Sequence, residues 1–182
     1  GMEVRETRAA LRAEIGADAA AIVWGVEEEK CLEPQFSAYA AWARGGPKPA
    51  AFRSSLPLFG TSTWDTVKTG AVPHMPLKER LAIAEFYDDL GNEQKVIEPQ
   101  RPHGLVLFGA PGRDILDAAD ANRVLEAVAV ERQMANFHDG NASSLLEEAA
   151  KLGVKPAPLT SAAKVALDEI CGREPAPEPP VR

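Results

Sequence analysis

Apolar residues recur every three or four positions over most of this chain, which is the period of one helix face. Over residues 2–30, Val4, Leu11, Ile15, Ile22 and Val26 follow one stripe, with Ala19 on the same side. Glu3, Arg5, Glu6, Arg8, Arg12 and Glu14 supply the polar side. Gly16 and Gly25 weaken this helix by up to about 1 kcal/mol each relative to alanine. Trp24 sits off the stripe, as an aromatic at the edge of the core or as an anchor for a partner. Pro34 removes a helix N–H and crowds the preceding turn, so a break or kink is expected over residues 30–33. A second helix then runs to about Arg44 on Phe36, Tyr39, Ala40 and Ala43, with Trp42 at its edge. Gly45, Gly46, Pro47 and Pro49 end it. Residues 45–60 form a loop that is long for a compact domain, and Phe52, Leu56, Leu58 and Phe59 are expected to pin it to the surface.

The clearest start and stop signals lie in residues 61–90. Thr61, Ser62 or Thr63 can cap a helix carrying Trp64, Asp65 and Val67, and Gly70 is expected to end it with a positive φ. Pro73 and Pro76 bound a corner, and Pro76 suits the first position of the next helix. That helix shows Leu77, Leu81, Ala84, Tyr87 and Leu90, with Ile83 and Phe86 widening the stripe, and extends to about Ile97. Leu105 to Phe108 reads as helix or coil, because no second strand candidate lies near enough to pair with it. A long helix is expected from about Arg113 toward Leu152, lined by Ile115, Ala119, Leu125, Val128, Leu145, Leu146 and Ala149. On local rules it breaks at Asp139-Gly140-Asn141 and restarts with Ser144 as cap and Glu147 in the capping-box position. Gly153 is a good stop, Thr160 or Ser161 caps a last helix, and Gly172 ends it. The pattern therefore predicts an all-α fold, a bundle of long antiparallel helices with short corner helices. Residues 1–172 make one helical domain and residues 173–182 a proline-rich tail, extended if alone.

The 182 residues are enough for one domain with a real core. A net charge of −7 argues against nucleic acid as a partner, since phosphate binding needs a basic face. No segment has the 18 or so consecutive apolar residues of a membrane span. Gly1 ahead of Met2 reads as a residue left by tag cleavage. Cys31 and Cys171 make no metal-site spacing. They form one disulfide in an oxidising compartment, or they are two buried thiols.

Candidate chemistry is sparse. Phe108-Gly109-Ala110-Pro111-Gly112-Arg113-Asp114 begins like a phosphate-binding loop, but no Gly-Lys-Ser/Thr follows and Asp114 would repel phosphate. It reads as a turn into the long helix. His74, His103 and His138 have no second histidine at helical spacing, and they read as surface or capping residues. Glu27-Glu28-Glu29 and Glu147-Glu148 read as solvated helix faces. Asn141-Ala142-Ser143 matches a glycosylation sequon, a pattern common by chance. Neither a metal site nor a cofactor site nor a catalytic constellation is indicated.

Several segments taken together resemble a loose group of small bacterial membrane-anchored proteins of unknown function. Arg8-Ala9-Ala10-Leu11-Arg12-Ala13-Glu14 matches an Arg-x-x-Leu-Arg-x-Glu helix, with Cys31 near its end. Ser62-Thr63-Trp64-Asp65 and Gly70-Ala71 match a Ser-x-x-Trp-Asp stretch ending in Gly-Ala, one residue shorter in spacing. Asn141, Leu145-Leu146, Ala149-Ala150 and Leu152-Gly153-Val154 match its end. The resemblance implies an all-helical domain, a transmembrane anchor outside these residues, and a long helix that runs through Gly140. The expected function is a membrane-tethered, non-enzymatic interaction domain in the periplasm, or else a cytoplasmic protein. Trp24, Trp42, Phe59 and Trp64 are the candidate surface for a protein partner. The alternative is a small-ligand-binding protein or enzyme with a pocket between helices, near His74 and Tyr87. Self-association through the stripe of Leu11, Ile15, Ile22 and Val26 is a third expectation.

Overall fold

The computed structural model describes residues 2–55, 57–98 and 100–173. Residues 174–182 of the proline-rich tail and Leu56 lie outside the described residues. Those described form α1 (Met2–Ala43), α2 (Ser62–Val67), α3 (Leu77–Ile97), α4 (Gln100–Gly109), α5 (Ala118–Lys151) and α6 (Ser161–Ile170), with 3₁₀ turns at Val72–His74 and Ala110–Gly112. The fold is all-α, as the periodicity predicts.

The break expected before Pro34 does not occur, because α1 is continuous over 42 residues, about 60 Å. Proline costs about 3 kcal/mol in a helix interior. Here Pro34 and Lys30 are both exposed, so the Lys30 carbonyl that loses its partner lies on the solvent side. Leu32, Phe36, Tyr39, Ala40 and Trp42 are buried on the inner side. The larger of these gain about 1.5–3 kcal/mol each, and together they outweigh the proline. The break that local rules place at Gly140 is also absent, and α5 runs through it, as the resemblance implies. Ala142, Leu145 and Ala149 are buried beyond it, and Val124, Ala127 and Val128 before it, which holds both halves of α5 against the same neighbours.

Residues 11–22 of α1 share an apolar cluster with residues 142–149 of α5. Residues 32–42 share a second cluster with residues 124–128. The two long helices are therefore antiparallel. α3 runs parallel to α1, since Arg8 meets Glu79 (Nη2–Oε2 2.8 Å) and Glu14 meets Tyr87 (2.7 Å). α4 then continues beside the first half of α5, with Leu107 fully buried among Val124, Ala127 and Val128.

A parallel α1–α3 pair needs a long return, and residues 44–61 supply it as a strap that descends along α1. Its pins are mostly polar. The Tyr39 hydroxyl donates to the Ala50 carbonyl (3.0 Å), Gln35 brackets the Arg53 backbone (2.8 Å each way), the Ser55 amide donates to Glu28 (2.6 Å), and the Gly60 amide to Asp18 (2.7 Å). Phe52 is buried and Phe59 half-buried, as expected of apolar pins, but Leu58 is 85% exposed.

Glu14 completes the corner. Its carboxylate accepts from the Thr63 amide (2.7 Å), the Trp64 amide (3.1 Å) and the Tyr87 hydroxyl (2.7 Å). The N-terminus of α2 is thus capped by a side chain from α1. Thr61 makes no cap bond, and its hydroxyl donates to Asp65 instead (3.0 Å). Gly70 does not take the expected positive φ, whereas Gly45, Gly153 and Gly172 do. In α3 the buried face is Ile83, Phe86, Tyr87, Leu90, Glu93 and Ile97, while Leu77 and Leu81 are more than half exposed. α5 begins later than expected, capped by Asp117 (2.8 Å to the Asp120 amide), and leaves Ile115 exposed. Thr160 caps α6 as expected (3.1 Å to the Ala163 amide). Cys31 and Cys171 pair, tying the end of α6 to the middle of α1.

Candidate functional site

Between the two apolar clusters the bundle carries a polar layer. Glu28 and Glu29 enter it from α1, Glu93 from α3, and Glu131 and His138 from α5, with Ser54 and Ser55 from the strap. The His138 Nδ1 pairs with Glu93 Oε1, and the Asn141 amide donates to Glu93 Oε2 (2.5 Å). Glu28 accepts from Ser54 (3.2 Å) and from the Ser55 amide. Burial pushes Glu28 up to about 7 despite those bonds, and burial does the same to Glu131, against the charge of His138. Burial and the neighbouring Asp139 carboxyl push Glu29 up to about 9. The cavity here is about 50 Å³, room for a few waters and not for a substrate. Among the described residues no group of three or more His, Cys, Asp or Glu has metal-holding geometry.

These positions overturn two sequence expectations. Glu28 and Glu29 are not on a solvated face. His138 is not a surface histidine. Glu148 is likewise buried, and burial followed by the Asp89 carboxyl pushes it up to about 7. A signal was present: Glu29 falls seven residues after Ile22 and seven before Phe36, Glu93 falls between Leu90 and Ile97, and Glu131 and His138 fall between Val128 and Ala142. Each occupies a stripe position with a charged or polar residue.

A second concavity lies on the outer side of α1. Ala17, Ala20, Ala21 and Trp24 form its floor, Ser55, Pro57 and Leu58 of the strap one wall, and Ala157, Pro158, Leu159, Thr160 and Ala163 the other. Its volume is about 400 Å³. The run of alanines on α1 leaves room that larger side chains would fill. The indole of Trp24 donates to the Ala163 carbonyl (2.8 Å), and the Ala157 amide donates to the Gly16 carbonyl (2.9 Å), which positions the wall at both ends.

The four aromatics proposed as a partner surface do not form one. Trp24 and Trp42 are each only 6% exposed. Their indoles gain more from burial than a solvated position would offer. Trp24 backs the apolar cleft, and Trp42 packs edge-on to Tyr39. Phe59 borders the polar layer, and Trp64 stacks on Tyr87 (ring centroids 4.9 Å apart, 4° between planes). His74 is exposed, whereas Tyr87 is buried against Glu14, so the corner does not bring the two together as a pocket. No helix among the described residues is long and apolar enough to cross a membrane. Compared with protein-family models, curated proteins and solved structures, the chain shows no significant match.

Proposed function

We propose that this chain is a non-enzymatic binding domain whose recognition site is the apolar cleft on α1, and that the cleft takes a small apolar molecule. The observation that carries this is the volume and lining of the cleft. Small-molecule sites run from roughly 300 to 1,000 Å³ and are lined mainly by apolar groups with a few polar ones. The cleft, at about 400 Å³, falls in that range, with Ser55 and Thr160 as its polar side chains. The polar layer, at about 50 Å³, is too small for a ligand. Trp24 lies against the ligand position and reports on it.

The test is titration with N-phenyl-1-naphthylamine, a neutral dye that brightens in apolar surroundings. Saturable binding at one site, abolished by Ala21→Trp with helical circular dichroism unchanged, is the expected result. A dye signal that never saturates, or one that survives Ala21→Trp, overturns the assignment.

The Cys31–Cys171 disulfide supports an oxidising compartment, and so the periplasmic alternative over the cytoplasmic one. Fractionation of the source cells tests the tether. Recovery from the membrane fraction with a mass exceeding this chain by a helix or more is expected, and recovery as a soluble protein beginning at Met2 removes the tether.

A further inference from the structure

We propose that the Cys31–Cys171 disulfide is a redox latch on the apolar cleft: reduction by a dithiol releases α6 from α1, loosens the wall of residues 157–163, and weakens the binding of the apolar molecule. This rests on the cleft being the binding site.

The wall depends on α6. The Ala157 amide fixes its near end to Gly16, so that end acts as a hinge. The far end is held by Trp24 on the Ala163 carbonyl, by Arg53 on the Glu169 carbonyl (3.0 Å), by the burial of Leu167, and by the disulfide at Cys171. α6 has ten residues, fewer than the roughly 12–15 an isolated helix needs to persist in water. Without its covalent tie, the helix is docked, among the described residues, through two hydrogen bonds and the apolar contacts of Leu167 and Ile170.

The bond is also placed to be reduced. Both cysteines are part-exposed, at the junction of α1 with the end of α6. The Arg173 guanidinium lies 3.4 Å from the Cys171 sulfur and 3.8 Å from that of Cys31. A cation beside a sulfur stabilises the thiolate, and a better-stabilised thiolate leaves faster. In the exchange, a thiolate of the dithiol attacks one sulfur and the S–S bond breaks. The second thiol of the reductant then closes its own disulfide. Two electrons and two protons pass to Cys31 and Cys171, which become thiols.

The experiment compares the full chain oxidised and after dithiothreitol, with N-phenyl-1-naphthylamine as probe and circular dichroism as the monitor of fold. If reduction leaves the wall docked in about one molecule in ten, affinity falls about tenfold. That fall is expected to occur with helical content largely kept and to reverse on reoxidation. The Cys31→Ser variant is expected to match the reduced chain under oxidising conditions. Equal affinity in both redox states overturns the latch and leaves the cleft standing. No binding in the oxidised state overturns the cleft and the latch together. Loss of binding together with loss of the helical signal overturns the latch, since the bond then holds the fold and not the wall. Arg173→Ala is expected to slow reduction several-fold, with Arg173→Lys restoring part of the rate. An unchanged rate in Arg173→Ala overturns the part assigned to Arg173.

Discussion

At the scale of single residues, one carboxylate organises a corner. Burial works against the charge of Glu14, but the Tyr87 hydroxyl and the Thr63 and Trp64 amides outweigh it and hold the group below the usual range. Charge-assisted bonds of this kind are worth more than neutral ones. Glu14→Ala leaves the Thr63 and Trp64 amides and the Ser62 and Tyr87 hydroxyls to find water, and a loss of about 2 kcal/mol is expected from urea denaturation. Trp64→Ala removes the stack on Tyr87 and part of the adjoining apolar cluster. It is expected to cost about 2–3 kcal/mol, less than a fully buried tryptophan, because Trp64 is only half-buried. The two losses are expected to be non-additive, since both act through Tyr87 and α2. An unchanged melting temperature in Trp64→Ala would remove Trp64 from the core.

At the scale of elements, glycines divide into those the helices tolerate and those the turns require. Gly91 and Gly140 lie inside α3 and α5, and a Cβ added at either meets nothing within 4 Å. Gly91→Ala and Gly140→Ala are each expected to raise stability by about 0.5–1 kcal/mol, through the entropy of the unfolded chain. Gly153 is the opposite case. Its φ of +69° ends α5, so Gly153→Ala is expected to lose about 1–2 kcal/mol. Thermal melts of the three variants check the set. A loss in Gly140→Ala would mean that α5 bends there. The continuity of α5 follows from its packing, and so does that of α1. A proline or a glycine on a solvated face costs less than the residues on the buried face gain.

At the scale of the whole molecule, the polar layer ties stability to pH. Glu28, Glu131, Asp18 and Glu148 are raised to about 7, and Glu29 to about 9, in every case chiefly by burial. Each holds its proton more tightly folded than unfolded. Their contribution is therefore full below the ordinary carboxyl values of 3.8 and 4.5 and declines as pH rises to the folded values. Glu33, Asp65 and Glu79 behave oppositely. Their partners Arg132, Lys68 and Arg8 lower them, and what they contribute is lost only on acidification. The urea midpoint is expected to peak near about pH 5 and to fall toward about pH 9. Glu29→Gln is expected to flatten the fall above neutrality. A midpoint that rises between pH 5 and 8 would contradict the buried placement of these groups.

Helices, their all-α combination, and several of their ends were legible in the sequence alone. Three- and four-residue apolar steps, the Thr160 cap and the glycine stops at 153 and 172 are local signals, and local geometry decides them. Of the site, what could be read was that polar residues at Glu29, Glu93, Glu131 and His138 interrupt apolar stripes. What they meet could not be read, because each partner lies on another helix. Tertiary structure alone decided that Pro34 interrupts nothing, that Cys31 reaches Cys171 across 140 residues, and that the strap leaves a cleft beside Trp24. The reason is one of magnitude. Local preferences are worth about 1–3 kcal/mol each, and burial summed along a long interface exceeds them.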